Sequence, residues 1–401
     1  MKEPEHRKKV IVYRKELLRP TDTFVRAQVR SYRRWQVVLF GERIWPGGLS
    51  VEGIDSRTLI DGHSTLAKRI FAKARQMAGV APASVIRKFE AERADLIHAH
   101  FGHDGILAVP YARNLNLPLV VTLHGHDVNI RKKCYQSGDH GLQQRRYPAQ
   151  FEAMVRQRNV HFIAISNVLR EAAIEYGVPK ERLFVRYTGV DIREFRPGPK
   201  PISQRARRIV FVGRLVEMKG CAYLIEAFRE IARRIPDAEL VILGDGPLRG
   251  SLERLAGELR VRVEFLGIVT PDVVKQQLNE ARVLCLPSVT AANGNFESFG
   301  MVLLEAQACG VPVVTSALGG REGVVDGLTG FTFAERDVST LVQRISDLLE
   351  NDELASRLSN AGPEYVRQYF DIISCTKKIE DLYDDILSAP TKAGKAFAGH
   401  R

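Results

Sequence analysis

Short runs of apolar residues alternate with amphipathic, helix-favouring segments along most of the chain. In the first half these runs predict strands at residues 10–13, 35–40, 95–99, 118–123, 161–165 and 183–187. The second half repeats the pattern, with strands expected at 209–212, 239–243, 261–266, 283–286 and 311–315. Short buried strands separated by helices are typical of parallel sheets built from βαβ units. The pattern therefore predicts two α/β domains.

A segment rich in proline and basic residues, 195–208, interrupts the pattern with the sequence FRPGPKPISQRARR. Such composition is typical of a domain linker, so we expect an N-terminal domain of residues 1–197 and a C-terminal domain of residues 205–374. An amphipathic helix at about 375–388 has no strand after it and is expected to cross back onto the N-terminal domain. The tail, 389–401, is expected to be disordered.

The composition is that of a globular protein, with 45% hydrophobic and 26% charged residues in 401. No apolar run approaches ~18 residues, so we expect no transmembrane helix. The apolar run near the N-terminus is too short for a signal peptide. The five cysteines are scattered, which favours a reducing cytoplasm and argues against disulfides or a zinc motif.

The net charge of +12 is carried by the N-terminal half of the chain, where residues 1–200 contain 35 Lys and Arg against 20 Asp and Glu. A basic domain is attracted to anionic membranes, polyanionic ligands or nucleic acid, although a solvated basic face is the simpler alternative. We expect at most peripheral contact with the inner face of the plasma membrane. Equal flotation with anionic and neutral liposomes would remove this argument. The basic residues are not interleaved with aromatics, which disfavours nucleic acid.

The most informative stretch covers residues 293–333. Gly300 precedes the apolar, helix-favouring run MVLLEAQA, which ends at a glycine. The first turn of such a helix offers free N–H groups and a positive dipole end to a phosphate. Glu297 and Glu305 are eight residues apart, or ~12 Å if all eight are helical, so they are expected to hold hydroxyls at two ends of an extended ligand. The following strand is expected to end in a turn at Gly319-Gly320. Together these features predict a nucleotide-sugar pocket.

Two further loops follow strands of the second half. Gly213 and Arg214 close its first strand, and Lys219 precedes the next helix. Two cations five residues apart at a strand end suit a diphosphate, although a plain surface turn is the alternative. The sequence LGDGPLRG has its third glycine one position late for a dinucleotide fingerprint. We therefore expect Gly244 and Gly246 to form a tight turn beside a ligand.

Histidines follow two strands of the first half. They are His98, His100 and His103 with Asp104, and His124 and His126 with Asp127. The spacing His98-x-His100 places both rings on one strand face, which is compatible with zinc. Strand ends are where α/β domains hold their ligands, so we favour hydrogen bonds to sugar hydroxyls or phosphate, and a structural role for His98. His124 is our candidate for the reacting centre.

These motifs carry a family resemblance. The segments FVGRLVEMKG, ILGDGPLRG, FLGIV, ESFGMVLLE and GVPVVTS strongly resemble those of retaining glycosyltransferases of family 4. In the first half, PTDTFVRAQV, DLIHAHFG, VVTLHGHDV, AISN and TGVDIREFRP resemble the branch that builds bacterial exopolysaccharide and colanic-acid-type repeat units. The resemblance implies the GT-B fold, an α/β architecture of two Rossmann-like domains that face each other across a cleft. It also implies a nucleotide-sugar donor in the C-terminal domain and a glycan or lipid-linked acceptor in the N-terminal domain.

On the donor side, the resemblance implies that Arg214 and Lys219 neutralise the diphosphate. Glu305 would hold the ribose hydroxyls and Glu297 the transferred sugar. The remaining donor contacts would be the backbone N–H groups of Phe299, Gly300 and Met301, the glycines Gly213 and Gly244, and the loop Gly267-Ile268-Val269 beside the base.

On the acceptor side, His124 would lie at the reacting centre, with Asp127, His126 and His100 nearby. Many family members carry a double glycine after the first strand, where this chain has RKELLRPTDTF. Thr21 and Thr23 are expected to replace that loop's contacts.

Retention without an obvious nucleophile favours front-face attack through an oxocarbenium-like transition state. The donor is expected to be UDP- or GDP-linked, with no cofactor and no metal required. Two alternatives keep the fold and change the reaction to a nucleotide-sugar epimerase or a phosphorylase. A polyanion- or nucleic-acid-binding protein is an alternative from a different class, but it leaves Glu297 and Glu305 unexplained.

Overall fold

Seven parallel strands form the sheet of the N-terminal half. The computed structural model describes residues 7–59, 81–137, 144–320 and 322–389. The strands are β1 Lys9–Leu17, β2 Gln36–Ile44, β3 Ser56–Thr58, β4 Leu96–His100, β5 Leu119–Leu123, β6 Val160–Ala164 and β7 Leu183–Val185. Their order is β3-β2-β1-β4-β5-β6-β7, so the direction of strand addition reverses between β1 and β4. Ligands bind beyond the carboxyl ends of the strands at such a reversal.

The second sheet has six parallel strands in the order β10-β9-β8-β11-β12-β13 and reverses between β8 and β11. Its strands are β8 Arg208–Val212, β9 Glu239–Leu243, β10 Val263–Gly267, β11 Val283–Leu286, β12 Val313–Ser316 and β13 Gly330–Phe333. Both sheets therefore have the strand order of a Rossmann-like domain. The predicted boundaries at 197 and 205 fall in the segment between β7 and β8.

Helices cover both faces of each sheet, which explains why the central strands are buried on both sides. The helices of the first half are α1 Thr23–Ser31, α2 Ala83–Ala91, α3 Gly102–Leu115, α4 His126–Asn129, α5 Lys132–Ser137, α6 Tyr147–Val155 and α7 Asn167–Tyr176. Those of the second are α8 Cys221–Arg234, α9 Arg249–Glu258, α10 Pro271–Glu280, α11 Met301–Ala308, α12 Ala317–Gly320, α13 Val338–Glu350, α14 Asp352–Phe370 and α15 Ile372–Ser388. Short 3-10 turns occur at Lys180–Arg182, Ile202–Gln204 and Glu217–Lys219. Within the described ranges, none of the helices has the length and apolar character needed to span a bilayer.

The α/β prediction is confirmed, and each of the eleven predicted strands has a counterpart in the two sheets. The sequence pattern missed β3 and β13, which are only three and four residues long and contain polar or glycine residues. The turn expected at Gly319-Gly320 is wrong, because these residues end helix α12. The predicted tail lies outside the described residues from 390 onward.

The chain crosses between the two sheets twice, at adjacent places. The N–H of Val190 donates to the carbonyl of Phe370 at 2.8 Å, and the N–H of Ile372 donates to the carbonyl of Val190 at 3.0 Å. A Cβ on Gly189 would lie 2.5 Å from the Cα of Ile372, so the two crossings are in close contact. The second crossing leads directly into α15.

Helix α15 packs on the N-terminal sheet and α1, as the sequence predicted. The hydroxyls of Tyr383 and Tyr32 are 2.7 Å apart. One carboxylate oxygen of buried Glu380 accepts hydrogen bonds from the backbone N–H groups of Arg33, Arg34 and Trp35 at 2.8–3.0 Å. Successive N–H groups that converge on one anion form a backbone nest, here filled by a side chain of the same protein.

We predict that Glu380→Gln lowers the thermal midpoint of unfolding. The carboxamide keeps the size of the side chain but weakens three charge-assisted hydrogen bonds, at a cost of about 1–3 kcal/mol. The matched control is Asp381→Asn on the same helix, because the Asp381 ion pair with Arg34 is exposed and worth less than about 1 kcal/mol. Calorimetry of both full-length variants measures the two midpoints, and equal shifts would contradict the assignment.

Candidate active site

Three glycines form the floor of the C-terminal half of the cleft, at the carboxyl ends of β8, β9 and β10. The N–H of Gly244 donates to the carbonyl of Gly267 at 2.8 Å. Gly244 has φ +128°, and a Cβ there would lie 2.0 Å from the carbonyl oxygen of Gly213, so only glycine fits. Beyond them Ile268 is 77% exposed, whereas Val269 packs against the core. The structure thus brings together the glycines that the sequence singled out.

The two cations that the sequence predicted to bind a diphosphate differ in their surroundings. Arg214 follows β8, is exposed, and its side chain makes no hydrogen bond or ion pair with any described residue. Lys219 ends a short 3-10 turn, and its ammonium group forms an ion pair with Glu297. Both side chains of this pair are largely buried. Arg214 is therefore available to an anion, whereas Lys219 is held in place by a carboxylate.

Helix α11 covers the MVLLEAQA run, as predicted, with Gly300 as its N-cap in the left-handed conformation. The N–H of Gly300 donates to Oε1 of Glu297 at 3.2 Å, and the N–H groups of Phe299 and Met301 have no acceptor in the described part of the chain. The expected ~12 Å helical separation of the two glutamates is wrong. Only the part from Met301 to Glu305 is helical, a rise of ~6 Å, because residues 297–300 fold back as a loop.

Glu305 lies in the second turn of α11 and is partly buried. Burial raises the pKa of its carboxyl group to about 7, and the charge of Glu194 adds to the effect. A carboxyl group with this pKa is close to half-protonated at neutral pH. Its charge therefore responds to any ligand that hydrogen-bonds to the carboxylate.

On the N-terminal side, Asp127 fixes the loop that carries His124. Its two carboxylate oxygens accept hydrogen bonds at 2.7 Å from the N–H groups of His124 and Gly102. Asp127 is buried, and burial raises its pKa to about 6. The carboxylate thus ties together the loops that follow β4 and β5. Its predicted contact with an acceptor stays a prediction, and the geometry favours a positioning role.

The ring of His124 contacts two phenylalanines, with centroid distances of 4.8 Å to Phe24 and 4.5 Å to Phe101. Its Nε2 is 3.1 Å from Nδ1 of His100. His100 is fully buried, and its ring stacks on that of His98. Its predicted contact with an acceptor stays a prediction, and the geometry favours a position behind His124.

The other histidines have varied surroundings. His98 is fully buried and bonds to the hydroxyls of Tyr383 and Thr122, in agreement with a structural role. His126 is exposed, 6.4 Å from the ring of His103. Across the described ranges, no three side chains of His, Cys, Asp or Glu come together as metal ligands would.

A buried charge cluster beneath the acceptor loop was missed by the sequence analysis. Arg14 bonds to Asp22 at 2.8 Å and to Asp104 at 2.7 Å, and its guanidinium group lies 4.5 Å from the ring centroid of Phe101. Burial raises the pKa of Asp104 to about 6, although Arg14 opposes the shift. This cluster holds the loop in which many family members have a double glycine.

The two residues predicted on that loop lie on either side of Asp22. Thr21 is exposed in a turn, and Thr23 is the first, partly buried residue of α1. No local pattern indicates the cluster that supports them, since Arg14 and Asp104 are 90 positions apart.

The His124 loop touches the Glu297 loop across the cleft. The amide of Asn129 donates to Oγ of Ser298 at 2.8 Å and to the carbonyl of Phe296 at 3.1 Å. Gly125 has φ +108°, and a Cβ there would lie 2.4 Å from Oγ of Ser298, so glycine permits this approach. The candidate reacting histidine and the candidate sugar-binding glutamate therefore belong to loops in direct contact.

A second contact between the two halves involves Glu322, which the sequence analysis also missed. Its Oε1 accepts from the N–H groups of Asn167 at 2.6 Å and Val168 at 3.1 Å, at the start of helix α7. Its Oε2 accepts from the hydroxyl of Tyr187 at 2.8 Å. A carboxylate is stabilised by the N-terminus of a helix, but nothing in the local sequence indicates that this one comes from the other domain.

Two family models match adjoining parts of the chain. The model described as Glycosyltransferase Family 4 matches residues 22–194, and the model described as Glycosyl transferases group 1 matches residues 193–365. The first match covers strands β2 to β7, the second covers β8 to β13, and the two meet in the segment between the sheets.

Named relatives agree with the family models. The putative colanic acid biosynthesis glycosyltransferase WcaL of Escherichia coli is 31% identical over 67% of this chain and 65% of its own length. The amylovoran biosynthesis glycosyltransferase AmsK of Erwinia amylovora is 30% identical over 65% of this chain and 62% of its own length. The matched region thus spans slightly less than two thirds of these two relatives.

Solved structures share the fold. HepE of Anabaena, determined in complex with UDP and glucose, superposes with a TM-score of 0.74 at 20% identity, over 94% of this chain and 100% of its own. This agreement confirms the GT-B architecture of two Rossmann-like domains. The adjoining family models and the relatives confirm the resemblance noted in the sequence, and the chain belongs to the group 1 glycosyltransferases of family 4.

Proposed function

We propose that the protein is a retaining glycosyltransferase that moves a sugar from a UDP- or GDP-linked donor to a glycan or lipid-diphosphate-linked saccharide in bacterial exopolysaccharide biosynthesis. The observation that carries this proposal is the convergence of groups suited to a donor diphosphate on one side of the cleft and His124 on the other. The contact between Asn129 and Ser298 joins these two sides at 2.8 Å.

The donor diphosphate is assigned to the region between Arg214 and the start of α11. Arg214 is unpaired among the described residues, and the N–H groups of Phe299 and Met301 have no acceptor there. These donors, together with the dipole of the helix, favour an anion. The glycine floor at Gly213, Gly244 and Gly267 lets a nucleotide approach the backbone, and Glu305 is assigned to the ribose hydroxyls.

The proposed chemistry needs a stabilised leaving group more than a protein nucleophile. The bond from the anomeric carbon to the phosphate oxygen breaks, the bond to the acceptor oxygen forms on the same face, and the acceptor proton passes to the departing phosphate. Glu297 is engaged with Lys219 and Gly300, which suits it to orient the sugar rather than attack it. Fixed cations and N–H groups stabilise the charge that develops on the diphosphate, so the scheme requires no metal.

The names of the relatives and the charge of the N-terminal half support the proposed acceptor class. WcaL and AmsK are named for the biosynthesis of colanic acid and amylovoran, which supports a saccharide acceptor in exopolysaccharide assembly. The basic N-terminal half, with 35 Lys and Arg against 20 Asp and Glu in residues 1–200, is suited to an acceptor that carries a lipid diphosphate. We accordingly assign the protein to the cytoplasm, with peripheral contact at the inner face of the plasma membrane.

The proposal is tested with the purified full-length protein and a panel of nucleotide sugars, assayed by thermal shift and donor hydrolysis with and without EDTA. We expect one UDP- or GDP-sugar to raise the thermal midpoint and to be hydrolysed slowly, with no loss of rate in EDTA. Abolition of turnover by EDTA would contradict the metal-free scheme. Epimerised nucleotide sugar formed without an acceptor would favour an epimerase instead.

We predict that Lys219→Ala lowers kcat by ~10²-fold, by analogy with the removal of one oxyanion donor. The substitution removes a cation from the diphosphate site and leaves Glu297 without its partner. Lys275→Ala is the matched control, because Lys275 lies on α10 and its one ion pair among the described residues is with the exposed Asp272 at 3.1 Å. Turnover and thermal midpoint are measured for both, and a folded Lys219→Ala enzyme with normal kcat would exclude the assigned role.

We predict that donor affinity depends on pH through Glu305. Its pKa is raised to about 7 by burial, and hydroxyl groups bind best to the ionised form. The affinity for the donor should therefore be nearly constant well above pH 7. Below about pH 7 it should fall, with a slope that approaches tenfold per pH unit, because Glu305 must lose its proton before the donor binds. Calorimetric titration from pH 5.5 to about pH 8.5 measures this, with Glu305→Gln expected to bind weakly and without that dependence. An unchanged pH dependence in Glu305→Gln would assign the titration to another group.

A further inference from the structure

Two adjacent imidazole rings, those of the fully buried His100 and the partly buried His124, share one proton beside the cleft. Nε2 of His124 is 3.1 Å from Nδ1 of His100, so one of these nitrogens donates and the other accepts. The second nitrogen of His124, Nδ1, has no partner among the described residues and is not one of the buried unpaired atoms. It is therefore accessible to a ligand. The second nitrogen of His100, Nε2, is buried without a partner.

We propose that His100 is a positioning residue that fixes the tautomer of His124, so that His124 presents a neutral Nδ1–H donor to a substrate oxygen. This inference rests on the proposed function in placing His124 at the reacting centre. It assigns His124 the role of a hydrogen-bond donor rather than a general base.

The choice between the two tautomers follows from the unpaired nitrogen of His100. If His124 donated through Nε2, the proton of His100 would lie on its own Nε2 as a buried N–H without an acceptor. If His100 donates through Nδ1, its Nε2 carries only a lone pair. Orphaned buried N–H groups are the rarer defect in folded proteins, which favours donation from His100 to His124.

A doubly protonated ring is disfavoured at either position. Burial lowers the pKa of both His100 and His124, and the nearby guanidinium group of Arg14 lowers both further. The pair therefore stays neutral at physiological pH, with a single proton between the rings.

The surrounding contacts hold both rings in place. His100 stacks on His98 with a centroid distance of 4.6 Å, and its carbonyl accepts from Nη1 of Arg14 at 3.1 Å. The ring of His124 contacts Phe24 and Phe101, and its backbone N–H donates to Asp127. These contacts restrict the orientation of the ring, so the tautomer determines whether Nδ1 presents a donor or an acceptor to the cleft.

A neutral N–H donor suits a front-face reaction. The acceptor proton leaves with the phosphate oxygen, so no protein base is required, whereas a donor directed at a sugar hydroxyl or phosphate oxygen orients the reacting groups. A His124 lone pair facing the cleft would compete for the acceptor proton instead.

The tautomer is measured directly by nitrogen NMR of histidine-labelled full-length protein near pH 7.5. His124 signals are assigned by their loss in His124→Asn, and we expect a protonated Nδ1 and an unprotonated Nε2. In His100→Leu, which removes the donor, this preference should be lost, while His161→Leu on β6 serves as the control and should leave it unchanged. A protonated Nε2 on wild-type His124 overturns the proposal whether or not the protein transfers sugar.

Measurements of turnover distinguish the role of Nδ1 of His124 from that of Nε2. Asn places an amide near the position of Nδ1, and Gln places one near Nε2, so His124→Asn should retain about tenfold more kcat than His124→Gln. Likewise His100→Asn, which keeps a donor near Nδ1, should rescue activity relative to His100→Leu at similar thermal midpoints. Equal or higher kcat in His124→Gln overturns the role given to Nδ1. If the NMR tautomer is as expected but no variant or wild type transfers sugar, the proposed function fails and the tautomer assignment stands.

Discussion

The buried ion pair between Lys219 and Glu297 supports both sides of the cleft. Removing one partner of such a pair costs about 3–5 kcal/mol, because it leaves a buried charge without compensation. Here the pair also anchors a loop, since the other oxygen of Glu297 accepts from the N–H of Gly300 at 3.2 Å. That loop carries Ser298, which meets Asn129 from the other domain. The ion pair thus fixes the start of helix α11 and supports the contact between Ser298 and Asn129.

Glu297 also explains how an anion site is stable before a donor binds. A helix N-terminus with nearby cations favours a negative charge. In the structure this charge is the carboxylate of Glu297, which pairs with Lys219 and accepts a hydrogen bond from the N–H of Gly300. Arg214 and the N–H groups of Phe299 and Met301 are left to the ligand. Under the proposed function, a diphosphate therefore shares Lys219 with Glu297, and Glu297 is held where the sugar would be. Donor binding and sugar orientation then depend on the same ion pair.

Local sequence signals predicted the helix beside the proposed donor site well. Gly300, the run MVLLEAQA and the glycine after it gave helix α11 its correct bounds, because helix ends are determined by nearby residues. The expectation that all eight residues from Glu297 to Glu305 are helical was wrong, since the residues before Met301 form a loop in which the N–H of Gly300 donates to Glu297. A side-chain contact of this kind is not apparent in a helix-favouring pattern.

The acceptor side was harder to predict because its contacts join distant parts of the chain. Arg14 pairs with Asp104 over 90 positions, and Glu322 binds Asn167 over 155. The two-residue spacing correctly placed His98 and His100 on one strand face. It did not show that Tyr383 of helix α15 covers His98, or that both rings are fully buried. Burial by a helix nearly 300 residues away requires the tertiary structure.

The segment that contains Phe299, beside the proposed phosphate site, is also part of the core between the domains. It links the proposed ligand binding to the arrangement of the domains. Phe299 stacks on Tyr187 with a centroid distance of 5.5 Å and contacts Phe370 at 5.6 Å, beside the double crossing of the chain. The hydroxyl of Tyr187 in turn bonds to Glu322. A ligand can shift a conformational equilibrium only if it interacts differently with the two states. Because Phe299 belongs both to the proposed phosphate site and to the packing between the domains, it is the residue through which such a difference would act under the proposed function.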